Sequence, residues 1–317
     1  MDTDDTIDIG ALSPSSKDAV RERYQNQGYV VIKNCIPTAK IDLFLEEYEK
    51  IKRNPAFVYY AQSTHVATRP QLNAYGYIQE SMQNASRLAF YPKFCQAMKS
   101  CLYEDRVAQT LTWISGYTNH VAWQNMFFDQ STGTIDHQDS WYLDTEPPGN
   151  LTGVWYALED IRLESGAFFV IPGSHKLGLI SRQNFPSHED FVAEVMRLTE
   201  EQKLRRKPML LQKGDILLWH PYLIHGAFSC QDASLSRKSF TSHFYPYGLA
   251  AKDTESQKKL SIYDHSKPLK TRNPHLFTAY RFPDVVYSLL VYGLYLKRVM
   301  LVGRKSLSMR REDYRYS

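Results

Sequence analysis

Near the middle of the chain, His137-Gln138-Asp139 sets an imidazole and a carboxylate two positions apart, and a second histidine, His225, follows far downstream. Two imidazoles and one carboxylate on a single metal leave open coordination positions, the arrangement favoured by non-heme Fe(II) oxygenases. Arg237, twelve residues beyond His225, adds a planar fork suited to a carboxylate. The set points to an iron-dependent oxygenase with a keto-acid cosubstrate. His220, five residues before His225, is a rival for the second imidazole.

His-x-Asp is a short pattern, and the chain holds a second copy, His188-Glu189-Asp190. Context separates the two. Ser187 precedes the second copy, and Phe191, Val192, Val195, Met196 and Leu198 follow at helical spacing, so this copy reads as a capped, acid-rich helix start. The first copy follows the strand-like run Val121 to Phe128 and a turn at Gly133, and it leads into Trp141-Tyr142-Leu143. His137 and Asp139 are therefore expected on one side of an extended segment.

The elements that must position these residues fall into three zones. From Ser13 to about Tyr103 helices dominate: Ser15-Ser16-Lys17 caps one that ends at Gly28, the strand Tyr29 to Ile32 follows, and Pro37 opens another. Phe57 to Arg87 shows little period and reads as a functional loop. From Thr110 to Tyr245 short apolar runs alternate with turn signals. The runs are Leu151–Leu158, Ala167–Ile171, Met209–Leu211, Ile216–Trp219 and Ser239–Tyr245, with one helical insertion at 187–206. That pattern predicts a mainly β core of jelly-roll type within an α+β fold. The last zone is polar until Pro283, where the apolar stretch Val285 to Leu296 begins; Lys297 and Arg298 cut it short of the ~20 residues a spanning helix needs. A helix docked on the core or on another subunit is expected there. An interfacial membrane helix is the alternative, because Lys297, Arg298, Arg304 and Lys305 flank the aromatics.

Composition excludes some classes. The 317 residues are 43% hydrophobic, enough for a sizeable core, and a net charge of +4 with no dominant basic block argues against nucleic acid. Cys35, Cys95, Cys101 and Cys230 lack a Cys-x-x-Cys spacing and read as reduced thiols. The acidic start (Asp2, Asp4, Asp5, Asp8) does not resemble a targeting peptide, so a cytoplasmic location is the expectation.

In order along the chain stand His137-Gln138-Asp139, Trp155 with Leu158-Glu159-Asp160, Gly166 followed by Ile171-Pro172-Gly173-Ser174-His175, His220 to Gly226, and Arg237-Lys238. This set resembles the phytanoyl-CoA dioxygenase family over roughly Ser15 to Tyr245. The resemblance implies a double-stranded β-helix (cupin-like jelly roll), with Fe(II) as cofactor and 2-oxoglutarate and O₂ as cosubstrates. It also implies hydroxylation of a small organic molecule, yielding succinate and CO₂. It favours His225 over His220, giving an iron set of His137, Asp139 and His225, and it places Trp155 beside the cosubstrate. Arg237 would then take the distal carboxylate of 2-oxoglutarate. Ser239, on the same strand face, could add a hydroxyl; Lys238 should point away, and Gln124 could reach the cosubstrate from the strand before the triad. His175 reads as a turn residue. The expected organisation is an oxygenase domain with N-terminal helices over residues 1–249 and a helical extension packing on it over 250–317. A metal-dependent hydrolase would have no need of Arg237, and a non-catalytic binding protein no need of the full ligand set.

Overall fold

The computed structural model describes the backbone of residues 6–8, 14–253, 259–260, 269–271 and 283–313, with side chains placed over 16–251 and 284–301. The acidic residues Asp2, Asp4 and Asp5, most of the polar tract before Pro283, and the side chains of Arg304 and Lys305 lie outside that description.

The chain begins with β1 (Thr6–Asp8), α1 (Pro14–Gln27), β2 (Tyr29–Lys33) and α2 (Thr38–Lys52). Gly28, at φ +79°, stops α1 in the left-handed conformation, and its N–H returns to Tyr24 O at 2.8 Å. Residues 57–87, expected as a loop, form three short strands instead: β3 (Tyr59–Ala61), β4 (Val66–Thr68) and β5 (Met82–Gln83). Runs of two and three residues are too short for alternation to show. Next come α3 (Pro92–Leu102) and α4 (Asp105–Ser115). Helix therefore persists past Thr110, where β character was expected to begin, until Gly116 caps it at φ +79°.

The barrel proper comprises β6 (His120–Phe128), β7 (Thr134–His137), β8 (Leu143–Glu146), β9 (Thr152–Ala157), β10 (Phe168–Val170), β11 (Lys207–Pro208), β12 (Ile216–Trp219), β13 (His225–Ala227) and β14 (Ser239–Pro246). Helix α5 (His188–Glu201) interrupts it, as the insertion predicted. Met209 and Leu211 are buried but outside any strand, since the two-residue pairing with β10 falls at Lys207–Pro208. The large sheet runs β1-β2-β12-β9-β14-β6-β5-β3-β4, and a second sheet runs β11-β10-β13-β7. A small third sheet runs β8-β15-β16, with β15 (Ala250–Asp253) between β8 and β16 (Lys259–Leu260), while β17 (Leu269–Thr271) pairs with β6. This is a jelly roll.

Alternation along the strands sorts the core into two layers. Val30, Ile32, Val154, Tyr156, Ile216, Leu218 and Phe240 face outward, onto Phe44 and Tyr48 of α2 and Phe94 and Met98 of α3. Val31, Trp155, Ala157, Leu217 and Trp219 face inward, onto Phe168 and Val170 of the second sheet. Each buried Val, Leu, Ile, Phe or Met among them contributes about 1.5–3 kcal/mol. Outer packing holds the large sheet rigid; inner packing walls the space between the sheets.

Helix α6 (Pro283–Asp313) lies along the β3–β5 edge. Asp284 pairs with Arg87 and Lys99 (2.9 and 2.8 Å), Tyr287 OH donates to Gln83 O (3.0 Å), and Tyr292 OH to Ala56 O (2.6 Å). Among its described side chains, over 284–301, only a narrow strip, Tyr287, Ser288 and Val291, is buried; Leu289, Leu294, Leu296 and Leu301 are exposed. Among the described residues no helix is long and apolar enough to cross a membrane.

Candidate active site

A cavity of about 530 Å³ opens between the two sheets, within the ~300–1,000 Å³ usual for small-molecule sites. Its inner wall carries Phe128, Trp155, Phe168, Trp219, Arg237 and Thr241; the short strands β3–β5 and their flanks place Gln62, His65, Gln83 and Asn84 at its mouth. The structure brings His137, Asp139, His225, Arg237, Gln124 and Trp155 to this one cavity.

His137 ends β7 and His225 begins β13, and the two are direct cross-strand partners. That register sets their rings 4.3 Å apart. Gln138 is extended, and Asp139 opens a 3-10 turn rather than continuing the strand, so the expectation of one extended segment holds only as far as Gln138. Gln138 fixes the turn. Fully buried, it donates to Gly178 O and Tyr222 O (2.9 and 2.8 Å) and accepts from Ile180 N (2.9 Å), away from the His137 and Asp139 side chains.

Both histidines carry the right tautomer for metal binding. Nδ1–H of His137 donates to Ile135 O at 2.8 Å and that of His225 to Leu223 O at 2.9 Å. Each Nε2 is thereby left with its lone pair. These lie 3.8 and 3.5 Å from Asp139 Oδ1, and one ligand atom from each of the three residues falls within 4.8 Å of the others. Burial lowers His137 to about 4, so it is a neutral donor at physiological pH. Burial would raise Asp139, but His243 and His225 beside it prevail and hold the carboxyl well below the usual range.

Arg237 is the second charged feature of the cavity. It is buried, its Nε has no hydrogen-bond partner, and desolvation lowers its pKa to about 10. Phe128 and Trp155 flank it, at 5.1 and 5.8 Å from the guanidinium carbon to the ring centres. A buried cation without a carboxylate is costly unless a ligand supplies one. Trp155 adds another orphaned donor, its buried Nε1. Ser239 is fully buried, and its hydroxyl donates to Arg237 O at 3.3 Å. Lys238 does point away, but not into solvent: its ammonium lies 3.3 Å from Asp129 Oδ1 and over the Tyr77 ring. It braces the fold and is no inert neighbour.

His220 turns away from the cavity, against Tyr24 and His175, and His175 holds Gln25 O at 2.9 Å. Three residues at the site were not singled out in the sequence. Trp219 Nε1 donates to Asp139 Oδ2 at 2.8 Å, His243 Nε2 lies 3.2 Å from that same oxygen, and Gln138 anchors the turn. A signal for His243 existed, since it lies six residues beyond Arg237, an even spacing that puts both on one side of an extended run leading into β14.

A jelly roll carrying two histidines and one aspartate on its inner face is the framework of the mononuclear iron, 2-oxoglutarate-dependent oxygenases, and this protein is an enzyme of that class. The family model of phytanoyl-CoA dioxygenase (PhyH) matches residues 24–239, and the chain belongs to that family. The peroxisomal phytanoyl-CoA dioxygenase of Homo sapiens is 26% identical over 238 residues, covering 71% of this chain and 67% of the relative. Phytanoyl-CoA dioxygenase 1 of Oryza sativa subsp. japonica is 33% identical over 127 residues, 38% of this chain and 43% of the relative. Among solved structures, the epimerase SnoN in complex with Fe3+, alpha ketoglutarate and nogalamycin RO aligns with a TM-score of 0.58 at 18% identity. It covers 83% of this chain and 96% of that one, a likeness of fold.

Proposed function

We propose that the protein hydroxylates a C–H bond of a small organic molecule, with 2-oxoglutarate converted to succinate and CO₂. His137, Asp139 and His225 would hold the iron. The observation that carries this reading is the pairing of two unlike features in one cavity. One is a donor triad whose imidazoles are already locked with Nε2 free; the other is a buried guanidinium that forms no ion pair among the described residues and whose Nε has no hydrogen-bond partner. A hydrolytic zinc site would use the first and have no role for the second.

The bound iron would supply the redox chemistry that activates O₂. The protein's own part is positional. Arg237, held planar between Phe128 and Trp155, would pair with the distal carboxylate of 2-oxoglutarate, and Trp155 Nε1 would give the cosubstrate a further donor. Gln124, which lines the cavity and touches His243 Nδ1 at 3.2 Å, would border the cosubstrate. Retention of Asp139 as a carboxylate favours hydroxylation over halide transfer, because the carboxylate fills the place a halide would need. Anaerobic addition of 2-oxoglutarate to the Fe(II) protein should produce the absorption band of the metal chelate. Admitting O₂ with a panel of acyl-CoAs, amino acids, sugars and lipids should then yield succinate. Absence of the chelate band at saturating cosubstrate would overturn this reading.

A further inference from the structure

Asp139 offers two oxygens, and the structure treats them differently. Oδ1 is the one nearest both His137 Nε2 and His225 Nε2. Oδ2 faces the opposite way, receiving Trp219 Nε1–H at 2.8 Å and lying 3.2 Å from His243 Nε2. Strand register explains why these two groups meet there. Trp219 of β12 and His243 of β14 are both paired with Gly153 of the intervening β9, so the three residues form one cross-strand row. A side chain at Gly153 would overlap the Trp219 ring. Its absence lets the indole and the imidazole approach edge to face, 6.0 Å between centres, with the carboxylate against both.

The imidazole's polarity follows from its other side. Gln124 Nε2 sits 3.2 Å from His243 Nδ1, and Gln83 Nε2 approaches Gln124 Oε1 at 3.5 Å, which turns the Gln124 amide to donate to the ring. A ring that accepts at Nδ1 carries a proton on Nε2, and that Nε2, buried and with no well-aligned hydrogen bond, lies 3.2 Å from Asp139 Oδ2 as its nearest charged group. A lone pair there would repel the oxygen. Resting on the assignment of His137, Asp139 and His225 as the metal ligands, we infer that His243 is a positioning residue. With Trp219 it occupies Asp139 Oδ2, so that the carboxylate would bind metal through Oδ1 alone and leave more positions for cosubstrate and O₂.

The test uses the full-length protein without 2-oxoglutarate or O₂, titrated with Co(II), with affinity and the visible spectrum as readouts. His243→Phe keeps a ring and removes both nitrogens; His243→Gln returns an N–H donor at a similar reach. The Phe variant is expected to lose about ten- to a hundredfold in affinity, as for other groups that orient metal ligands. Its Co(II) spectrum should also change, because a carboxylate held at Oδ2 by Trp219 alone is freer to bind through both oxygens. The Gln variant should recover most of the affinity and the wild-type spectrum. If the Phe variant does not fold, His243→Ala takes its place. Wild-type affinity and spectrum in the Phe or Ala variant, or equal losses in Phe and Gln, would overturn the inference. Asp139→Ala run in parallel keeps the two readings apart: undiminished Co(II) binding there refutes the triad itself, whatever His243 does.

Discussion

The two His-x-Asp copies have the same first and third residues and opposite fates. At 137–139 the histidine closes a strand, the middle residue is buried and tied by three hydrogen bonds, and the aspartate is buried among imidazoles. At 188–190 the pattern opens α5. The Ser187 hydroxyl accepts from Asp190 N–H at 3.1 Å and donates to the Asp190 carboxylate at 2.7 Å, so the aspartate is consumed as part of an exposed cap. Identical side chains gather into a candidate metal site only where a neighbouring strand supplies a second histidine in register. The copies are also not strangers. His188 Nε2 meets Tyr142 OH at 2.7 Å, and Tyr142 lines the cavity with its ring 5.7 Å from that of His137.

The largest effect expected from this contrast is at the aspartates. Asp139→Ala should abolish Fe(II)-dependent turnover and metal binding, while Asp190→Ala leaves both within twofold; equal losses, read by Fe(II) titration, would dissolve the distinction. Next in size is Arg237. Its replacement by Ala should raise the 2-oxoglutarate requirement by orders of magnitude with iron still bound, and Lys should restore it only in part. The measurement is the anaerobic chelate band against 2-oxoglutarate concentration, and Lys238→Ala is unsuitable as its control because that residue pairs with Asp129.

Burial also separates the histidines by pH. His120 and His220 are held down to about 4 by burial, whereas the unfolded chain takes up those protons near the ordinary histidine value of ~6.5. The unfolded state then binds more protons between these values, so stability is fully present above about 6.5 and declines as pH falls toward 4. The loss should reach up to about 3 kcal/mol per histidine. Urea unfolding of the metal-free protein at pH 7, 5.5 and 4.5 checks it, and His120→Gln should flatten the slope.

The smallest effects belong to the second copy. His188→Ala should alter substrate KM several-fold through Tyr142 and leave iron affinity alone. Ser187→Ala should cost about 1 kcal/mol of stability, read by thermal or urea unfolding, with no change at the metal.

Much of the fold was legible because its signals are local. The Ser187 cap, the Gly28 stop and the apolar strand runs at 29–32 and 216–219 follow from neighbouring residues alone. The short strands at 59–61, 66–68 and 82–83 were not legible, since they exist through pairing with β6 and one another. At the site, the ligand residues and Arg237 announce themselves by type and order. Trp219 and His243 do not, because their meeting at Asp139 depends on how β12, β9 and β14 align, and a histidine or tryptophan in an apolar strand looks like ordinary core.

Gly153 carries the least chemistry of any residue in that row, yet it sets how much room the row has. Even a methyl group there would drive into the Trp219 indole, which cannot retreat without leaving Asp139. In a library of random substitutions, position 153 should therefore rank with His137, Asp139 and His225 in intolerance, although it does not line the cavity. Steric vacancy, not reactivity, is what that residue contributes, and a search for important positions guided by chemical type alone would pass over it.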